Sequence, residues 1–242
     1  MDRQALVCRN ILEKPDITQR EMAKNMDISL GTVNGLVKEC LAEGYIAEEE
    51  NGKEKHLILL EKGKELLKPY KVDGALIIAA GFGSRFVPLT FETPKGLLEV
   101  FGERMIERQI KQLHEVGIYD ITIAVGYLKE KFEYLIDKFD VRLLYNPEYS
   151  CKNTLYRARK FLKGRNVYIL SSDNWMRENM YHSYECGAWY SAAHEEGKTK
   201  EWCFTFNKKG HISDVNVGGK DAWFMYGPVY LSREFSARVL PV

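Results

Sequence analysis

The residues whose types and spacing best suit chemistry are Ala80, Gly81, Gly83, Ser84 and Arg85, which follow an apolar run at residues 75–79. A buried strand that ends in Gly-x-Gly brings backbone N–H groups close to a polyphosphate with no Cβ atoms in the way. Arg85 adds a planar fork of donors that matches phosphate oxygens. Pro88, Thr90 and the pair Pro94-Lys95 follow at short range. Two other phosphate loops do not fit, because the third glycine of the dinucleotide fingerprint is absent and no Gly-Lys-Ser/Thr follows. Metal ligation by histidine or cysteine is not indicated either. His56, His114, His182, His194 and His211 lack ligand spacing, and Cys8, Cys40, Cys151, Cys186 and Cys203 include no Cys-x-x-Cys pair.

Such a loop needs a strand behind it and a sheet beside that strand. From residue 75 onward, apolar strands alternate with amphipathic helices, the pattern of an α/β domain with a mostly parallel central sheet. The spacing predicts strands over 75–80, 121–125, 141–145 and 167–171, and helices over 104–116, 129–138 and 154–161. Residues 1–72 carry a different rhythm. Helices are expected over 3–13, from a Thr18-x-x-Glu21 capping box onward, and from a Ser29 cap to Gly44. A hairpin turns at Asn51-Gly52 between strands at 45–49 and 56–60, and a helix follows over 61–68. This is a small winged helix-turn-helix domain over 1–72, followed by the α/β domain over 73–242.

Composition narrows the classes further. The chain has 242 residues, of which 45% are hydrophobic and 29% charged, and this excludes a disordered or fibrous protein. A net charge of +1 excludes a generally basic protein that coats nucleic acid. The start has no signal-peptide layout and no apolar run approaches the ~18 residues of a membrane span. A cytoplasmic protein with reduced thiols and no membrane partner is expected.

The N-terminal stretch, with its Leu60-Glu61-x-Gly63 step after the wing, resembles the winged helix-turn-helix of bacterial MarR-like regulators. That resemblance implies DNA as a partner, reached by Ser29, Thr32, Asn34 and Lys38 of the third helix. The charge argues the other way, since 12 Lys plus Arg stand against 13 Asp plus Glu in residues 1–72 and the wing carries Glu48-Glu49-Glu50. Counterion release supplies most non-specific affinity, so a neutral module is a poor solitary binder. A docking or dimerisation domain is the alternative.

The order Ala-Ala-Gly-x-Gly-Ser-Arg-x-x-Pro-x-Thr, then Pro-Lys, closely resembles the sugar-nucleotide and CTP-dependent nucleotidyltransferases of the glycosyltransferase A-like fold. Val125-Gly126-Tyr127, Tyr145-Asn146, Asn153-Thr154-Leu155 and Ser172-Asp173-Asn174 bring the resemblance nearest to bacterial phosphocholine cytidylyltransferases. It implies a Rossmann-like nucleotidyltransferase domain that moves CMP from CTP to phosphocholine with Mg²⁺ as cofactor. It also implies a nucleotide loop of Ala80, Gly81, Gly83 and Ser84, with Arg85 on the β and γ phosphates. Lys95 would be the catalytic cation at the α-phosphorus, Asp173 the metal ligand, and Asn153 a contact for nucleotide or substrate. A sugar-1-phosphate nucleotidyltransferase is the alternative within this class. A winged-helix transcriptional regulator that senses a nucleotide or choline metabolite is the alternative outside it.

The acceptor is argued from the aromatic residues after Asp173, where all four tryptophans of the chain are found. A quaternary ammonium is held by aromatic faces, each contributing about 0.5–2 kcal/mol, so this enrichment favours choline over a sugar. Trp189, Trp202, Trp223 and Tyr226 are the expected choline cage, against the alternative that such residues pack one face of a strand. Relative to the family, a second metal carboxylate in a late acidic-aromatic segment has no counterpart here, since Asp214 reads as a turn residue between short strands and Asp221 also sits outside the matching context. The domain over 73–242 is therefore expected to be incomplete at its C-terminal end and impaired in turnover.

Overall fold

The computed structural model describes residues 2–51, 54–148, 151–208 and 210–239. It divides into two compact units, Met1–Lys71 with Tyr184–Gly187, and Val72–Ser183 with Ala188–Val242.

The first unit opens with α1 (Arg3–Glu13), whose N-cap Asp2 accepts from the Gln4 and Ala5 N–H groups. The capping box of Thr18 and Glu21 starts α2 (Gln19–Met26), and Ser29 caps α3 (Leu30–Ala42). Strands β1 (Ile46–Asn51) and β2 (Glu54–Leu59) form the antiparallel wing, and α4 (Glu61–Leu67) follows. Gly52 of the predicted turn lies outside the described residues. Leu6, Ile11, Met22, Val33, Val37 and Ile46 make the core. On α3, the Ser29 hydroxyl accepts from the Thr32 N–H and bonds the Thr32 hydroxyl at 2.8 Å, while Asn34 and Lys38 are exposed. Two of the four residues expected to reach DNA are thus engaged with each other.

A single cut near residue 72 misses part of this unit. Cys186 is buried in its core, and Arg9 donates to Glu185 at 2.9 Å and to the Tyr184 carbonyl at 3.3 Å. The Glu185 N–H donates to the Tyr70 carbonyl. A buried arginine needs a charged partner, and here it is supplied from more than a hundred residues downstream.

The second unit contains β3 (Gly74–Ala79), a short hairpin of β4 (Glu99–Val100) and β5 (Glu103–Arg104), then α5 (Met105–Glu115) and β6 (Ile121–Val125). After them come α6 (Tyr134–Phe139), β7 (Arg142–Tyr145), α7 (Cys151–Leu162) and β8 (Val167–Ser171). Long strands β9 (Trp189–Phe206) and β10 (Ile212–Leu231) and helix α8 (Arg233–Val239) complete it. The sheet order is β7-β6-β3-β8-β10-β9, parallel from β7 to β8, with β10 antiparallel to β8 and β9 antiparallel to β10. Side chains alternate across β3. Ile77 packs with Ile106, Ile110 and Leu113 of α5, whereas Leu76 packs with Ala158 and Leu162 of α7. Burial on both faces explains why these strands read as apolar runs.

Two expectations change in detail. The helix expected over 129–138 begins as a 3₁₀ turn, Lys129–Phe132, before α6. Asp214, which the sequence places in a turn, lies in β10 opposite Thr205.

Candidate active site

Strands β3 and β8 are parallel neighbours with Ile78 opposite Ser171, so both chains turn off the sheet at the same end. Ligands of open α/β sheets bind outside the carboxyl ends of the strands. A cleft of about 420 Å³ lies there. Its wall joins Ala80, Gly81, Gly83, Ser84 and Arg85 from the loop after β3 to Lys95 and to Asp173 after β8. The structure thus gathers these seven sequence-predicted residues, which span more than ninety positions of the chain.

Local packing explains how the loops hold their shape. Gly83 has a left-handed φ of 70°, and a Cβ there would stand 3.0 Å from Thr90 Cγ2. Thr90 is buried and donates to the Gly83 carbonyl at 3.1 Å, which fastens the loop to the segment behind it. Arg85 is 82% exposed and lies 3.7 Å from the Glu201 carboxylate. After Pro94 the chain makes a 3₁₀ turn, Lys95–Leu97. A Cβ on Gly96 would fall 2.7 Å from Ser172 Cβ and Oγ, so the lysine loop rests directly on the loop that carries Asp173.

Lys95 Nζ pairs with Asp173 Oδ2 and sits 4.6 Å from the centre of the Phe86 ring. The Ser171 hydroxyl donates to Asp173 Oδ1. Burial pushes the Asp173 carboxyl up, but the Lys95 and Ser171 hydrogen bonds and the Lys95 charge outweigh it and hold the group below its usual value. Asp173 is therefore an anion across the neutral range, suited to hold a cation and unsuited to donate a proton. The cleft combines donors for an anion on one loop with a lysine and a carboxylate facing each other across it.

Residues 74–196 match the family model described as nucleotidyl transferase. The chain belongs to the nucleotidyl transferase family. Residues 9–47 match the model described as winged helix-turn-helix DNA-binding. This nucleotidyltransferase is 38% identical over 156 residues to a choline-phosphate cytidylyltransferase of Streptococcus pneumoniae, covering 63% of this chain and 67% of the relative. It is 35% identical over 170 residues to a 2-aminoethylphosphonate cytidylyltransferase of Lancefieldella rimae, covering 68% and 69%. A solved CTP:phosphocholine cytidylyltransferase from Streptococcus pneumoniae superposes with a TM-score of 0.65 at 34% identity, over 70% of this chain and 75% of that one.

Other predicted residues of the nucleotidyltransferase lie away from the cleft wall. Asn153 donates to Asn146 Oδ1 at 2.8 Å, and buried Asn146 in turn donates to Thr154 Oγ1 at 2.7 Å. Thr154 is the member of this network that lines the cleft. Among the described residues, no ring contact joins any two of the four expected cage residues. Trp189 packs against Tyr168 and Tyr230 in the core, with ring centres 5.9 and 6.5 Å away. Trp202 lies opposite Val217, Trp223 stacks edgewise on His194, and Tyr226 on Phe224. Register shifts along β9 and β10 disperse residues that strict alternation would align.

Sequence reasoning missed Ser171 as a contributor to the site. Its signal is faint, a serine closing an apolar strand two residues before the carboxylate. For a divalent metal, an ionised carboxylate on the wall of such a cleft is a hard oxygen donor of the kind that Mg²⁺ takes with waters and substrate phosphates. Asp173 fits that role. Asp214 bonds the Val215 N–H and Asn216, and Asp221 accepts from the Gly197 N–H, so neither joins it. Among the described residues, no group of three or more His, Cys, Asp or Glu is arranged to hold a metal, and no helix is long and apolar enough to cross a membrane.

Proposed function

We propose that this nucleotidyltransferase transfers CMP from CTP to phosphocholine, giving CDP-choline and pyrophosphate. The observation that carries this reading is the Lys95–Asp173 pair beside the Gly81–Arg85 loop, in a chain similar to choline-phosphate cytidylyltransferases. A phosphate oxygen of phosphocholine attacks the α-phosphorus of CTP, the bond from that phosphorus to the bridging oxygen breaks, and pyrophosphate leaves with the electron pair. Backbone N–H groups of the loop and Arg85 hold the β and γ phosphates, where negative charge collects. Lys95 leaves Asp173 and meets the oxygens of the α-phosphoryl group. Such transfers depend mostly on positioning and charge stabilisation, which these groups supply. Asp173 would hold Mg²⁺, which neutralises phosphate charge when bound. A cytoplasmic location accords with a reaction that consumes CTP.

A second acceptor, 2-aminoethylphosphonate, is favoured by the likeness to a cytidylyltransferase named for it. In the first unit, the winged-helix match supports DNA as a partner, with Asn34 and Lys38 exposed on α3. The near-neutral charge of the segment makes that affinity weak unless base contacts add to it.

The test is a product analysis with CTP or UTP and a panel of phosphocholine, 2-aminoethylphosphonate and glucose 1-phosphate. CDP-choline as the preferred product supports the proposal. Preference for the phosphonate moves the assignment to the second acceptor, and a UDP-sugar product overturns the cytidylyl reading.

A further inference from the structure

Asp173 has its two carboxylate oxygens committed to different partners, Oδ1 to the Ser171 hydroxyl and Oδ2 to Lys95. The serine is held firmly. It is the last residue of β8, opposite Ile78, and its carbonyl accepts from Gln109 Nε2 at 2.9 Å and from the Asn174 N–H at 3.2 Å. The next residue is tied down as well, since the Ser172 N–H donates to the Ile78 carbonyl at 3.0 Å. Ser171 nevertheless lines the cleft.

We propose that Ser171 is a positioning residue that holds the Asp173 carboxylate in place while its other oxygen exchanges Lys95 for a divalent cation. The inference rests on the reading of the cleft as a nucleotide site. The terminal torsion of an aspartate is broad and two-fold, so a carboxylate held by one partner swings when that partner departs. If Lys95 moves to the α-phosphoryl group, it takes one of the two anchors with it. The other anchor is a hydroxyl on a pinned strand end. A hydroxyl has a single proton to give, and giving it to Oδ1 keeps Oδ2 turned toward the space that Lys95 has left. An ammonium and a cation cannot share that oxygen, and the serine makes their exchange possible without reorienting the acid.

Groups that orient a metal ligand typically change metal affinity about 10- to 100-fold when removed. Ser171→Ala is expected to shift the Mn²⁺ midpoint upward by that order in the presence of CTP, followed by electron paramagnetic resonance of the free ion in the full chain. CTP binding in EDTA stays unchanged. Ser171→Thr retains a hydroxyl and is expected to bring the midpoint back, which a merely structural loss would not do. Should Ser171→Ala fold poorly by circular dichroism, Ser171→Gly provides a second hydroxyl-free chain. An unchanged midpoint in a wild-type background that binds CTP and Mn²⁺ overturns the positioning role. An equal loss of CTP affinity in EDTA overturns it too, by making the hydroxyl a general support of the cleft. A wild-type chain that binds no nucleotide at all removes the nucleotide reading itself.

Discussion

Two enclosed ion pairs, one in each unit, show how similar chemistry serves different ends. Arg9 and Glu185 are 12% and 7% exposed, and both are tied further to backbone, Arg9 to the Tyr184 carbonyl and Glu185 through its own N–H to Tyr70. Lys95 and Asp173 are 25% and 23% exposed and open on a cleft. The first pair is held among backbone groups beside a core. The second has one hydroxyl holding it from behind and space in front, so its partners can be traded for ligand groups. Enclosure by fixed backbone marks a supporting pair, and enclosure against a cavity marks a working one.

The contrast is broken most strongly by Arg9→Met, which takes the Arg9 cation away from the buried Glu185 carboxylate. Removing one partner of a buried pair costs about 3–5 kcal/mol, expected here as faster hydrogen exchange of α1 and α3 amides, with CTP affinity retained. Lys95→Ala makes the opposite separation. On the proposed function, loss of this charge-stabilising donor lowers kcat for CDP-choline formation by about 10²–10³, while the midpoint of thermal unfolding changes little.

A third pair sharpens the comparison within the second unit. Glu107 accepts from Tyr134 and Lys138, each at 2.7 Å, with its side chain 9% exposed. Burial pushes its carboxyl up, yet the Lys138 and Tyr134 hydrogen bonds prevail and hold it below its usual value. The folded state therefore binds this proton less readily than the unfolded state. Its stabilisation is complete above the ordinary carboxyl value of 4.5 and is lost as pH falls through the lower folded value. Glu107→Gln is expected to cost about 1.5–3 kcal/mol at neutral pH. The gap from wild type narrows in melts below pH 4.5. The smallest effect is expected from Thr18→Ala, which removes the α2 cap and costs about 1 kcal/mol in the first unit, again read by amide exchange.

The sheet and the glycine-rich turn after β3 were legible because they depend on local rules. Apolar runs mark strands covered on both faces, and Gly81 and Gly83 mark the tight turn by which the chain leaves β3. Lys95 and Asp173 were legible through their motif context, and the cleft unites them. Tyr184–Gly187 was not legible as part of the first unit, because its role arises from tertiary packing around Arg9 and not from any period. The aromatic residues misled for a related reason. Trp189 belongs to the core with Tyr168 and Tyr230, and the register shifts of β9 and β10 that separate Trp202, Trp223 and Tyr226 leave little trace in the order of residues.

The central claim is that Asp173 and its neighbours form a nucleotide site in which a cation replaces Lys95. Calorimetric titration of CTP into the full chain, with and without Mg²⁺, beside Asp173→Asn, tests it most directly. The account predicts saturable binding that Mg²⁺ strengthens in the wild type and leaves unchanged in Asp173→Asn. Equal Mg²⁺ dependence in the two chains, or no saturable heat in either, would contradict it.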